Sequence, residues 1–256
     1  MTGAGASGPG VDLRERVAIV TGGGRGIGRA IALGYAEAGA DVVISVARNR
    51  DEADDVVAAA DALPGTIHAV QADVTADGDV DRLVDSALAI RGRIDVLVNN
   101  AARGMRFVNE RFMSDPMPFW EADPEAWRLV METNIIGVFL MSRAVVRHML
   151  SAGSGSIINV TINQETMVRR GFSPYGASKA ALEAMTRSWA EDLEGTGVHI
   201  NLLAPGGATD TGMVPDDVPA TVSLLSPEIV VAPALHLAVA DSSGQRILGT
   251  EWRPLA

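Results

Sequence analysis

Arg16-Val17-Ala18-Ile19-Val20-Thr21-Gly22-Gly23-Gly24-Arg25-Gly26-Ile27-Gly28 decides the fold. After Arg16 comes a short apolar run rich in β-branched side chains, the pattern of a buried strand. The glycines suit a tight turn, and the apolar periodicity that continues through Ala38 predicts a helix. A strand, a glycine turn and a helix bring backbone N–H groups and the positive end of the helix dipole to one point, where a diphosphate can approach. Gly22, Arg25, Gly26, Ile27 and Gly28 are therefore candidate anion-binding positions.

The alternation recurs along the chain. Residues 41–46 read as a second strand, 50–63 as a helix, 67–72 as a third strand ending at Asp73-Val74, 79–90 as an amphipathic helix, and 94–98 as a fourth strand ending at Asn99-Asn100-Ala101-Ala102. Strands alternating with helices imply right-handed crossovers and a parallel sheet. Ligands bind at the carboxyl ends of such strands, so Asp73, Val74, Asn100 and Ala101 join the glycine turn along one edge.

Residues 103–123 carry Met105, Phe107, Phe112, Met113, Met117, Phe119 and Trp120 without a clean period, interrupted by Pro116 and Pro118. They are expected to form a loop excursion with one short helix, either a substrate wall or lid or a patch against a neighbouring subunit. Asp123-Pro124-Glu125 opens a long helix to about residue 150, and Asn134 in its middle is unfavourable by propensity, which suggests a task. Residues 156–160 and 198–203 are further strands, the second ending at Ala204-Pro205-Gly206-Gly207. Residues 209–226 read as a mobile substrate loop with Met213 facing in, 228–240 as a helix and 245–252 as a last short strand. Met105, Met167 and Met213 could line a pliable pocket, although methionines commonly serve simple packing.

Ser173-Pro174-Tyr175-Gly176-Ala177-Ser178-Lys179 opens another helix, with Ser173 suited to the N-cap and Pro174 to the first helical position. Tyr175 and Lys179, at i and i+4, share a face. The ammonium and the helix N-terminus both favour phenolate, so the phenol is expected to titrate below its usual ~10 and to move a proton near neutral pH. Taken alone, the spacing also describes a half-exposed surface pair.

At 256 residues, 47% hydrophobic and 21% charged, the chain can bury a sizeable core as one α/β domain, preceded by a flexible tail over residues 1–12. No apolar run approaches the ~20 residues of a membrane span and no signal peptide is evident, so no membrane partner and a cytoplasmic location are expected. The net charge of −11 argues against nucleic acid. There is no cysteine for thiol chemistry, and His68, His148, His199 and His236 lack ligand spacing, so no metal is expected.

Taken in order, Thr21-Gly22-x-x-x-Gly26-x-Gly28, Asp73, Asn99-Asn100-Ala101, Asn134, Tyr175-x-x-x-Lys179 and Pro205-Gly206 resemble the short-chain dehydrogenase/reductase family, over nearly everything from Leu13 to about Trp252. The resemblance implies a Rossmann-type, doubly wound, seven-stranded parallel sheet in a single domain over residues 13–256. It implies a nicotinamide cofactor and a homodimer or homotetramer built on two long helices. Tyr175 would be the acid in reduction and the base in oxidation. Lys179 would hold the nicotinamide ribose and lower the tyrosine's pKa, and Asn134 would position a relay water. Asp73 and Val74 would meet the adenine, Asn100 and Ala101 the adenine ribose, and Pro205, Gly206 and Thr211 the nicotinamide.

Two departures matter. The acidic residue with which NAD-preferring members meet the ribose 2′-hydroxyl falls on Val46, with Arg48 just beyond and Arg25 in the turn; two guanidinium groups and no carboxylate favour NADP(H) over NAD(H). The family's catalytic serine falls on Ile162, between Thr161 and Asn163. Isoleucine donates no hydrogen bond, so a developing alkoxide would lose a donor that can be worth several kcal/mol in rate. Asn163 swings in, or the register shifts so that Thr161 or Asn163 serves, or the substrate is not an ordinary ketone. The expectation is an NADPH-dependent oxidoreductase interconverting ketone and alcohol on a small-molecule substrate. Imine reductase is the alternative, because an iminium needs no oxyanion donor. A nicotinamide-binding regulator without catalysis is the alternative of another class, opposed by the intact Tyr175, Lys179 and Asn134.

Overall fold

The computed structural model describes residues 10–253. Its strands β1 (Val17–Val20), β2 (Asp41–Val46) and β4 (Val96–Asn99) are buried along their whole length, as apolar runs covered on both faces must be. With β3 (Thr66–Gln71), β5 (Gly155–Val160), β6 (Val198–Ala204) and β7 (Arg246–Leu248) they form one seven-stranded parallel sheet in the order β3-β2-β1-β4-β5-β6-β7. The chain runs outward from β1 to β3 and returns to place β4 on the other side of β1, where Ala18 pairs with Val96. That reversal opens a crevice at the carboxyl ends of β1 and β4.

Successive strand residues face opposite layers. Ala18, Val20, Val42 and Ile44 pack against Ile31 and Tyr35 of α1 (Gly26–Glu37), Val56 of α2 (Arg50–Ala59) and Leu237 of α8 (Val231–Ala238). Val17, Ile19, Val43 and Leu97 face Leu83 of α3 (Asp77–Arg91) and Met141 and Met149 of α5 (Val138–Ala152).

The long helix forms as expected, with a difference in its middle. The Asp123 carboxylate caps α4 (Pro124–Met131) by accepting from the N–H groups of Glu125 and Ala126, and a π-helical turn, Glu132–Gly137, joins α4 to α5. The continuous helix Pro124–Ala152 has a stretch of mean hydropathy 1.6 and, by length and composition alone, could cross a membrane. The sequence reading missed so long an apolar segment. Here Val138, Met141, Val145 and Met149 bury one side of it.

The ends of elements differ more. Ser173 does not cap the tyrosine helix: α7 (Tyr175–Asp192) starts after Pro174, and the Ser173 hydroxyl accepts from Trp127 Nε1 at 3.4 Å. The excursion holds two 3-10 turns, Met105–Phe107 and Phe119–Glu121, in place of one helix. The final helix divides into a 3-10 turn, Pro227–Val230, and α8. Residues 1–9 of the expected tail lie outside the described residues, and Leu13 is already fully buried.

Candidate active site

Gly22 and Gly26 adopt φ of +64° and +53°, in the left-handed region. A Cβ on Gly28 would stand 2.3 Å from the Gly22 carbonyl oxygen, so only glycine lets α1 close on the turn. The helix has no side-chain cap and no acidic residue in its first turn, which leaves its N–H groups for an anion. Asn100 secures the turn: its Nδ2 donates to the carbonyl oxygens of Thr21 (2.9 Å) and Gly22 (3.0 Å). Thr21 Oγ1 accepts from the N–H groups of Asn100 and Ala101, both at 3.0 Å. The Asn100 amide nitrogen is thus committed to the turn, which leaves its Oδ1 and backbone carbonyl as acceptors for a ribose.

A cleft of about 400 Å³ runs across these strand ends. Gly22, Arg25, Gly26, Ile27, Arg48, Asp73, Val74, Asn100, Ala101, Thr211 and Met213, all singled out in the sequence, line it, together with Glu52 and Arg103, which were not. Thr211 lies against the glycine turn, 2.9 Å from where a Gly26 Cβ would be. Glu52 corrects the view of the 2′ end as free of carboxylate, since its Oε1 stands 3.4 Å from Arg25 Nη1. The glycine cradle, the uncapped helix end and the cleft volume fit a dinucleotide. Asn163 stands outside this cleft's lining; its Oδ1 is an enclosed acceptor with no partner among the described residues, and its Nδ2 donates to the Gly206 carbonyl oxygen at 2.9 Å.

Tyr175 opens α7 and Lys179 follows one turn on, its Nζ 5.8 Å from the centre of the tyrosine ring and 2.8 Å from the Val160 carbonyl oxygen to which it donates. Burial pushes the phenol up to about 12 and the ammonium down to about 8. This reverses the expected acidification: desolvation of the phenolate outweighs a charge that is directed at a carbonyl. The tyrosine therefore carries its proton at neutral pH, the form an acid catalyst needs. Asn134 is fully buried; its Oδ1 accepts from Arg103 N (2.9 Å), and its Nδ2 donates to Arg103 O (3.1 Å) and Ser178 Oγ (2.9 Å). Its amide thus ties the excursion to the tyrosine helix. A relay at this residue would have to run through its backbone, which lies in the π-helical turn.

The other expected substrate residues surround the tyrosine unevenly. Met105, buried at 2% exposure, clusters with Phe112, Phe172 and Tyr175. Met167 lends its carbonyl to the wall beside Gly176, and Met213 lies over Gly104. Arg106 laces the excursion to the 209–226 loop by donating to the Val214 carbonyl oxygen at 3.2 Å. The Thr161 hydroxyl donates to Glu183 Oε1 (3.2 Å), and Arg246 holds both Glu183 (2.9 Å) and the Ile162 carbonyl oxygen (2.6 Å). Thr161 is therefore turned to a buried ion pair and does not replace the serine. Pro205 and Gly206 stand at the end of β6, where Gly206 takes φ +99°.

A parallel sheet with its crevice, a glycine cradle and a half-buried tyrosine one turn from a buried lysine define a nucleotide-binding fold. The family described as short chain dehydrogenase matches residues 16–220, and the chain belongs to this family of NAD(P)-binding oxidoreductases. It is 40% identical over 217 residues to cis-4-hydroxycyclohexanecarboxylate dehydrogenase of Sinomonas cyclohexanicum, covering 83% of this chain and 82% of that one. It is 39% identical over 194 residues to a 3-oxoacyl-[acyl-carrier-protein] reductase of Synechocystis, covering 76% and 74%. A gluconate 5-dehydrogenase from Burkholderia cenocepacia, in complex with NADP and tartrate, superposes with a TM-score of 0.79 at 30% identity over 93% of this chain and 94% of that one.

Proposed function

We propose that the protein is an NADPH-dependent oxidoreductase that interconverts a ketone and an alcohol, with Tyr175 as the proton donor in reduction. The observation that carries this reading is the half-buried Tyr175 at the head of α7 with the Lys179 ammonium 5.8 Å from the centre of its ring. Neither residue is part of the glycine-turn cleft's lining, and a dinucleotide seated in that cleft would reach them. A nicotinamide bound there would supply the hydride. Tyr175 hands its proton to the substrate oxygen, and Lys179 keeps a positive charge close to the phenolate left behind. Arg25 and Arg48 at the 2′ end favour the phosphorylated cofactor, and Glu52 moderates that preference by pairing with Arg25. The named relatives act on an oxo and a hydroxy compound and support the same chemistry. NADPH oxidation with a ketone panel, in the wild type and Tyr175→Phe, tests it: turnover should fall more than about 10²-fold in the variant. Undiminished turnover would refute the role of Tyr175. Tight NADPH binding without turnover on ketones, alcohols or imines would instead favour the regulator.

Imine reduction is the second reading, favoured by the missing second donor. Ile162 has no polar atom, the Thr161 hydroxyl is bound to Glu183, and the Asn163 amide donates to Gly206. An iminium loses nothing by this, whereas an alkoxide does. Matched cyclic imines and ketones decide between them. A homodimer or homotetramer joined along the two long helices, Pro124–Ala152 and α7, the first of which exposes Leu129, Ile136, Phe139 and Leu150, and a cytoplasmic location belong to the same proposal. Sedimentation and cell fractionation test these.

A further inference from the structure

We infer that Arg103 reads the adenine ring of the cofactor, acting with Asp73 as a donor–acceptor pair; this rests on the proposal that a nicotinamide dinucleotide occupies the cleft. Arg103 follows the Asn100-Ala101 turn and lines the cleft beside Ala102, Phe107 and Thr133. Its backbone is fixed at both ends by the Asn134 side chain, so its side chain leaves from a rigid point. The side chain is 13% exposed, and its guanidinium donates from Nε to Thr133 Oγ1 at 2.8 Å and lies over the Phe107 ring at 4.9 Å. Its Nη2 stands 4.0 Å from Asp73 Oδ2, too far for a hydrogen bond. Neither Nη atom donates to any described residue. Neither is an enclosed orphan, because among the described residues that condition is met by Asn163 Oδ1. Both therefore open onto the cleft.

With its counter-ion 4.0 Å away and its terminal donors facing the cleft, this half-buried cation is available to an acceptor on a ligand. The Asp73 carboxylate presents the complementary half. Its Oδ1 accepts from the N–H and hydroxyl of Thr75, while its Oδ2 accepts from nothing among the described residues. The cleft wall thus offers one free acceptor and, beside it, one free charged donor. Adenine offers the converse, an amino donor next to a ring-nitrogen acceptor. Asp73 would take the amino hydrogen and Arg103 would donate to the ring nitrogen beside it. The 2′ end of the cleft, with Arg25, Glu52 and Arg48, has its own charges, so the base and the 2′-phosphate are recognised by different arginines.

Dissociation constants measured by calorimetry test this for NADPH, NADH, adenosine and reduced nicotinamide mononucleotide, on the wild type, Arg103→Met and Arg103→Lys. Thermal unfolding of each protein accompanies the titrations. Arg103→Met should weaken NADPH, NADH and adenosine by a common factor of about 10, the worth of one charged hydrogen bond, and leave the mononucleotide unchanged. Arg103→Lys, which keeps the charge but loses the planar fork, should recover part of that loss. Weakening of NADPH alone would make Arg103 a 2′-phosphate ligand and overturn the inference. Equal weakening of the mononucleotide, or no change in any ligand, would overturn it as well. A wild type that binds neither dinucleotide would refute the cofactor itself and with it this assignment.

Discussion

Replacing Lys179 with methionine should leave the protein inactive and more stable. Lys179 is 3% exposed, and burial holds its ammonium at about 8 against an ordinary 10.5. Each pH unit between those values is worth ~1.4 kcal/mol, so keeping the charge at pH 7 costs the fold about 3 kcal/mol. Methionine retains the apolar stem and removes the charge. It also strips the Val160 carbonyl of the donor now 2.8 Å away, a loss of ~1 kcal/mol. The balance is about 2 kcal/mol in favour of the variant, or roughly 4–8 °C in Tm for a chain of this size. The pH dependence gives the stricter test. Below about pH 8 the lysine is protonated in both native and unfolded chains, and its penalty is complete. Between 8 and 10.5 the native state sheds a proton that the unfolded chain keeps, so the wild type gains on the variant as pH rises. Tyr175, whose pKa is raised, lowers the stability of both proteins above pH 10, and to first order cancels in the comparison. Urea unfolding at pH 7, 8, 9 and 10 measures the difference directly. A variant less stable than the wild type at pH 7, or a difference constant across the series, would refute the reasoning.

Other perturbations separate the parts of the cleft. Arg48→Ala should raise KM for NADPH about 10-fold and leave that for NADH within about twofold, as loss of a guanidinium–phosphate contact predicts. Glu52→Gln releases Arg25 from an exposed pair worth under ~1 kcal/mol, so KM for NADPH should fall by about two- to fivefold while that for NADH does not improve. Asn100→Ala removes the bonds to Thr21 and Gly22 and should cost about 2 kcal/mol in urea unfolding, with weaker binding of every dinucleotide. Gly28→Ala, whose Cβ would press on the Gly22 carbonyl at 2.3 Å, should abolish cofactor binding in calorimetry while the chain still folds.

The sheet was legible because its signal is local. Val17–Val20 and Asp41–Val46 are buried on both faces, so their apolar runs betray them, and the glycines at φ above zero announce the turn between β1 and α1. Element ends were less legible, since Ser173 has the composition of a cap yet is drawn to Trp127, a partner 46 positions away. The site divides in the same way. Residues fixed by the turn or the helix period, such as Gly26, Asn100 and Lys179, could be placed from the sequence. Glu52 and Arg103 could not, because nothing in their neighbourhood marks them and only the packing of β2, α2 and the excursion brings them to the cleft.

The acidity of Tyr175 shows why residue spacing alone misleads about chemistry. Spacing counts the ammonium one turn away but not the water removed around the phenol, nor the Val160 carbonyl toward which that ammonium points. Desolvation prevails and the tyrosine stays protonated. To act in the oxidative direction the same phenol must ionise, which requires Lys179 to be freed from the carbonyl or the site to gain another positive charge. A positively charged nicotinamide accompanies oxidation, whereas a neutral one accompanies reduction. The oxidised cofactor would thus supply part of the charge that ionisation needs, and with the phenol raised by burial the oxidative kcat profile should still peak at a higher pH than the reductive one.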